Sequence, residues 1–259
     1  MKNRRQFLKV ASLSVLGLAG ALPGIARAAG AATGPASYSV GKAALKAKHW
    51  GMVIDTRAFD APEKFEAVIR ACHSYHNVPT INTKREIKWI WTDSYRATFT
   101  DQMDNYPATE VLERRYLMLC NHCVNPACVR VCPTKATFKH KSGIVVMDYH
   151  RCIGCRFCMA GCPYGARSFN FEDPRNFLES RDINVAFPTR MRGVVEKCTF
   201  CSELLAVGKM PLCVEASEGA IVFGDLEDPG SEVRKVLAEN FTIRRKPTLG
   251  TEPSVYYII

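Results

Sequence analysis

Two runs of four cysteines, each closed by Cys-Pro, constrain this chain more than any other feature. Cys120-x2-Cys123-x4-Cys128-x3-Cys132-Pro133 is followed by Cys152-x2-Cys155-x2-Cys158-x3-Cys162-Pro163. Cys72, Cys198, Cys201 and Cys213 bring the total to 12 in 259 residues. A disulfide framework has no need of a duplicated spacing, and zinc takes four ligands, usually as two separated pairs. No Cys-x2-Cys pair is followed by His, which excludes attachment of a c-type haem.

The second run matches the bacterial ferredoxin spacing, in which the first three thiolates hold one [4Fe-4S] cube and the fourth reaches across to its neighbour. Three cysteines on a tight loop cap three irons, and the fourth points away past a turn. Gly154 gives the loop room, and proline after the fourth cysteine fixes the backbone. Applied to both runs, this cross-over defines set A as Cys120, Cys123, Cys128 and Cys162. Set B is then Cys152, Cys155, Cys158 and Cys132.

Cys198-x2-Cys201-x11-Cys213-x3-Ser217 resembles the fourth cysteine group of the four-cluster ferredoxin-like subunits of polysulfide reductase, formate-dependent nitrite reductase and related membrane oxidoreductases. That resemblance implies that groups one and four pair with each other, as groups two and three do. Where group one belongs, Phe59, Pro62 and Phe65 keep the spacing without cysteines, or, in another register, Pro62, Phe65 and Val68 do; only Cys72 is retained. The three missing cysteines and Ser217 would all have held one cluster. The family pairing therefore implies a set C of Cys72, Cys198, Cys201 and Cys213, three [4Fe-4S] clusters in all, and a fourth site filled by side chains. Cys72 as a buried apolar thiol and Ser217 as an oxygen ligand are the competing readings.

At a finer level the chain resembles the DsrO-type branch, the iron–sulfur subunits of the DsrMKJOP transmembrane complexes of sulfite and sulfur metabolism. The likeness rests on His49 to Arg57, Ala71-Cys72-His73, His76 to Pro79, Cys120 to Cys123, Tyr149 to Cys158, Arg244 to Pro247 and Val255-Tyr256-Tyr257. It implies a non-catalytic electron-transfer subunit. Its partners would be an NrfD-like integral membrane subunit (DsrP-type) that meets the quinone pool, a multihaem cytochrome c subunit (DsrJ-type) and DsrMK-type subunits. The alternative is the iron–sulfur subunit of a molybdopterin or hydrogenase-type respiratory oxidoreductase. No Gly-rich phosphate loop, His-Glu-x-x-His or nucleophile elbow points to an active site.

The formal charge of +10 raises nucleic acid as a partner. Five of the basic residues, Lys2, Arg4, Arg5, Lys9 and Arg27, belong to a 1–28 segment that reads as a twin-arginine export signal, with an uncleaved anchor as the alternative. Without them 30 basic residues face 25 acidic ones, and three oxidised cubes with their thiolates bring about −2 each. Arg130, Lys135, Lys139, Lys141, Arg151, Arg156 and Arg167 then read as counter-charge, and no nucleic-acid partner is expected. Export would place the chain in the periplasm, peripheral on the outer face of the cytoplasmic membrane and attached through a partner. His122, His140 and His150 read as packing or hydrogen-bonding groups near the clusters, with proton transfer as the alternative, and Trp89 and Trp91 as packing.

The fold expected is α+β: duplicated bacterial-ferredoxin-like modules, a polyferredoxin of short strands, short helices and cluster-binding loops. After the signal and a linker over 29–48 come a degenerate first half with an insertion (49–115) and the tandem module (116–175). The fourth cysteine group occupies 176–228, and a helix with an extended tail occupies 229–259. Strands are expected at Trp50–Asp55, Lys88–Trp91, Gly143–Asp148 and Ala220–Phe223, and helices at Glu63–His73 and from Ser231 to Glu239. Anaerobically purified protein should absorb near ~400 nm and bleach with reductant, with no disulfide found by mass mapping. A colourless, disulfide-bonded product would contradict the cluster reading.

Overall fold

The computed structural model describes residues 41–102, 106–178 and 183–259; the export-signal segment and the linker up to residue 40 lie outside them. The expectation of a mixed α and β fold with short elements holds. Among the described residues the strands are β1 (Trp50–Asp55), β2 (Ile90–Ser94), β3 (Arg115–Leu119), β4 (Thr137–Lys139), β5 (Val145–Met147), β6 (Ser168–Phe169), β7 (Val195–Glu196), β8 (Ile221–Asp225), β9 (Thr242–Ile243) and β10 (Val255–Ile258). Helices α1 (Pro62–Tyr75) and α2 (Glu232–Glu239) are joined by several of about one turn.

β1 is buried on both faces, which is why it reads as a nearly unbroken apolar run. Met52 and Ile54 face the main core, whereas Val53 meets Val233 of α2 and Ile258 of β10. The sheet order is β8-β1-β10-β9, with β10 parallel to β1 and pairing Met52 with Val255 through Asp55 with Ile258. The C-terminal tail is thus more than an extended segment lying on the body: it supplies two strands of the four-stranded sheet. The other sheets are hairpin-like pairs, β2-β3, β4-β5 and β6-β7, all antiparallel.

α1 starts on Pro62, whose missing N–H costs nothing at a helix start, and turns Phe65, Val68 and Cys72 inward at helical spacing. The stretch where a first cysteine group would loop around a cluster is therefore mostly helix. Ser231 precedes α2, yet its hydroxyl donates to the Asp225 carbonyl and makes no cap bond to the helix.

One fully buried ion pair fastens β7 to the turn after α1. Arg190 Nε donates to Glu196 Oε2 at 2.7 Å, and Trp89 Nε1 donates to the same oxygen at 2.7 Å. Asn170 Nδ2 satisfies Glu196 Oε1, and Arg190 Nη2 donates to the Asn77 carbonyl. Every charge is met by a hydrogen bond, so removing one partner strands the other. Arg190→Met should lower stability by about 3–5 kcal/mol, the range for breaking a buried pair. Anaerobic denaturant unfolding followed by tryptophan fluorescence checks this.

Candidate metal centres

All twelve cysteines lie among the described residues, and none is in a disulfide. Set A forms around the turn after β3. Cys123 is buried and feels Cys120, Cys162 and Cys128. Burial, reinforced by those sulfurs, pushes its thiol up to about 12. The tail clamps this turn: Val124 and Asn125 donate to the Glu252 and Thr251 carbonyls, Ser254 N donates to the Asn121 carbonyl, and Ser254 Oγ donates to the His122 carbonyl. The Asn121 side chain is 1% exposed, with neither end of its amide partnered, beside Cys120.

Set B surrounds a cavity lined by Cys132, Cys152, Cys155 and Cys158 together with Thr134, Met147, Ile153 and Val195. Gly154 sits at φ +69° in its loop, and a Cβ there would come within 2.4 Å of the Gly193 carbonyl oxygen, so only glycine fits. Burial raises the Cys132 thiol, but N–H groups of Thr137, Ala136 and Thr134 and the Thr134 hydroxyl outweigh it and hold the thiol below its usual value. Cys132, Cys152 and Cys155 are half-buried.

Set C is buried throughout. Cys72 comes from the last turns of α1, Cys198 and Cys201 from the turn after β7, and Cys213 from a one-turn helix, Leu212–Glu215. Burial first, then Cys198, Cys201 and Cys213, drives the Cys72 thiol far above its ordinary value. Burial lifts the Cys213 thiol to about 12. His76 and Glu203 also stand here: His76 Nε2 is 2.8 Å from Glu203 Oε1, and both, with Cys201, hold their ligand atoms within 4.8 Å of one another. No local motif ties the two together in the sequence, where 127 residues separate them.

The groups adjoin one another. Cys158 of set B feels Cys128 of set A, and Cys198 of set C feels Cys120 of set A. Of the seven basic residues read as counter-charge, six are exposed and one, Arg167, is 4% exposed with Nη2 donating to Cys128 Sγ at 3.1 Å. His122 is buried, accepts the Val145 N–H and stacks on Phe200. His140 and His150 lie at the surface. Trp89 is packed in the core.

Where a first cysteine group is expected, Phe59 and Phe65 stack with centroids 4.9 Å apart, and Val68 is fully buried. The Ser217 hydroxyl donates to the Val214 carbonyl and accepts the Ile221 N–H, so local turn bonds occupy it.

The donor chemistry fits a sulfur-ligated cluster: sets A and B offer soft thiol donors with no carboxylate or imidazole among them. Residues 116–176 match the family of 4Fe-4S dicluster domains. The chain is 40% identical over 232 residues to the Hdr-like menaquinol oxidoreductase iron-sulfur subunit 1 of Archaeoglobus fulgidus, covering 81% of this chain and 83% of that protein. It is 36% identical over 234 residues to the iron-sulfur cluster-binding subunit of menaquinone reductase of Nitratidesulfovibrio vulgaris, covering 81% and 88%. With protein NrfC of Escherichia coli the identity is 37% over 152 residues, 58% of this chain and 60% of that protein.

Cys72→Ala should remove or degrade one cluster signal and leave the other two, read by electron paramagnetic resonance (EPR) and iron content. An unchanged cluster complement would remove Cys72 from set C.

Proposed function

Because the chain belongs to the family of 4Fe-4S iron–sulfur subunits of membrane quinone oxidoreductase complexes, we propose that it is a non-catalytic relay carrying three [4Fe-4S] clusters. Set A would ligate one through Cys120, Cys123, Cys128 and Cys162. Set B would ligate the second through Cys132, Cys152, Cys155 and Cys158, and set C the third through Cys72, Cys198, Cys201 and Cys213. Each bound cluster supplies a one-electron couple. The protein's part is to hold the sulfurs, exclude water and fix nearby charges.

The observation that supports this reading is the company the cysteines keep: Cys123 feels Cys120, Cys128 and Cys162, one cavity is lined by Cys132, Cys152, Cys155 and Cys158, and Cys72 feels Cys198, Cys201 and Cys213. The electrostatic influence of Cys128 on Cys158, and of Cys120 on Cys198, favours the linear order B, A, C. Domain boundaries follow the same logic: 49–115 a first half that has lost its loop cysteines, 116–175 the tandem module, 176–228 the fourth group, 229–259 the closing helix and tail. Export through the 1–28 segment would place the subunit at the outer face of the cytoplasmic membrane. No helix among the described residues is long and apolar enough to cross a membrane, so attachment would come through an NrfD-like subunit. The DsrO-type branch, with its cytochrome c and DsrP-type neighbours, remains the finer reading. The relatives that cover most of the chain act on menaquinol or menaquinone by name, which favours exchange with a quinone-reactive partner.

Iron quantitation with EPR spin counting on anaerobically purified protein tests the cluster number: three cubes require about 12 Fe per chain. About 16 would mean that a fourth site is filled, and about 8 would unseat set C.

A further inference from the structure

Four cationic side chains among the described residues are almost wholly buried: Arg167, Arg190, Lys197 and Arg245. A buried charge is costly unless something of opposite sign meets it. Arg190 has Glu196. Arg245 lies over the Tyr164 ring and donates to the Thr98 and Tyr164 carbonyls. Arg167 and Lys197 have no carboxylate among the described residues, and both stand against the cysteine sets.

Arg167 is held by β4 and β5: its Nη1 donates to Thr137 Oγ1 at 3.0 Å and lies 3.7 Å from Met147 Sδ. Its Nη2 reaches Cys128 Sγ of set A, and Cys158 of set B feels the same charge. Lys197 is fully buried; its Nζ donates to the Cys198 carbonyl at 2.7 Å and to the Val145 carbonyl. Cys198 is the set C cysteine that also feels Cys120 of set A. Arg167 therefore stands between sets A and B, and Lys197 stands beside Cys198, the set C cysteine that feels set A.

We propose that Arg167 and Lys197 are potential-setting positioning residues, each a fixed cation with no carboxylate partner among the described residues, that favours the reduced state of the clusters it adjoins. The proposal rests on the three-cluster reading above. Reduction adds one negative charge to a site that already carries four thiolates. In a dry interior, a cation with no carboxylate to cancel it acts strongly on that added charge. A carboxylate partner, as at Arg190, would cancel most of that effect. The sequence gives one of these residues a motif context: Lys197 directly precedes Cys198. Arg167 lies five residues past Cys162 with no such marker.

The test is an EPR-monitored redox titration of the holoprotein, with set C assigned by its loss in Cys72→Ala and set B by its loss in Cys155→Ala. Arg167→Met should lower the A and B midpoints by a tenfold change in the reduction equilibrium, about 59 mV for one electron, and leave C in place. Lys197→Met should lower A and C and spare B. Should either neutral variant lose iron, Arg167→Lys and Lys197→Arg decide: midpoints that stay near wild type support fixed charge, and midpoints that fall overturn it. Unchanged midpoints at full iron content, or an equal shift of all three clusters in both variants, also overturn the proposal. Wild-type iron is measured first. About 8 Fe would fail the three-cluster reading, and with it the Lys197 half, while Arg167, which needs only sets A and B, would still be tested.

Discussion

Burial of sulfur is the constraint around which this chain is arranged. A thiol taken out of water resists ionisation, and the buried Cys72, Cys123, Cys198, Cys201 and Cys213 are all held above their ordinary range, first by burial. A cluster needs the same groups as thiolates, so assembly must displace protons, and the binding energy of the metal becomes folding energy. That accounts for how little regular structure surrounds sets A and B: loops, one-turn helices and two-residue ladders suffice where metal–sulfur bonds can supply the cohesion. Elsewhere the chain relies on ordinary packing, with β1 and β10 covered on both faces and α1 against the core.

The tail joins these two regimes. β10 lies beside β1 in the sheet, and the residues just before it bind the turn that carries Cys120 and Cys123. Lys246 Nζ reaches the Pro163 carbonyl, next to Cys162. A set built from one turn near residue 120 and one cysteine near residue 160 is thereby fixed by residues 246–254. Its geometry is inherited from a parallel strand pair closed across the length of the chain.

How far the sequence could be read follows from the same division. Cysteine runs are local, so the proposed sets A and B follow from spacing alone. β1, α1 and α2 were legible because burial imposed a continuous apolar run or a helical period. Set C needed the family pairing, since nothing local ties Cys72 to Cys198. The pairing of β10 with β1, the meeting of His76 with Glu203, and the burial of Lys197 were not legible: each depends on contacts made over more than fifty positions, and none leaves a periodic trace. For the basic residues of the cysteine loops, composition cannot separate a cation packed on sulfur, as Arg167 is, from the six that are exposed.

The proposed three-cluster assignment sets unequal environments along the relay. Phe59, Phe65 and Val68 are packed where a first cysteine group is expected, and all four cysteines of set C are buried. Set B, at the other side of A, keeps three cysteines half-buried. Burial alone disfavours added negative charge, so it would set the C potential below that of B and tilt the relay in one direction. An uncompensated tilt of that kind would slow electron flow into C. Lys197, placed on the backbone carbonyl of Cys198 with no carboxylate paired to it among the described residues, would oppose it where all four cysteines are buried. On the proposed assignment, the gradient along the relay is the difference between a solvation effect that grows from B to C and two point charges placed beside the cysteine sets.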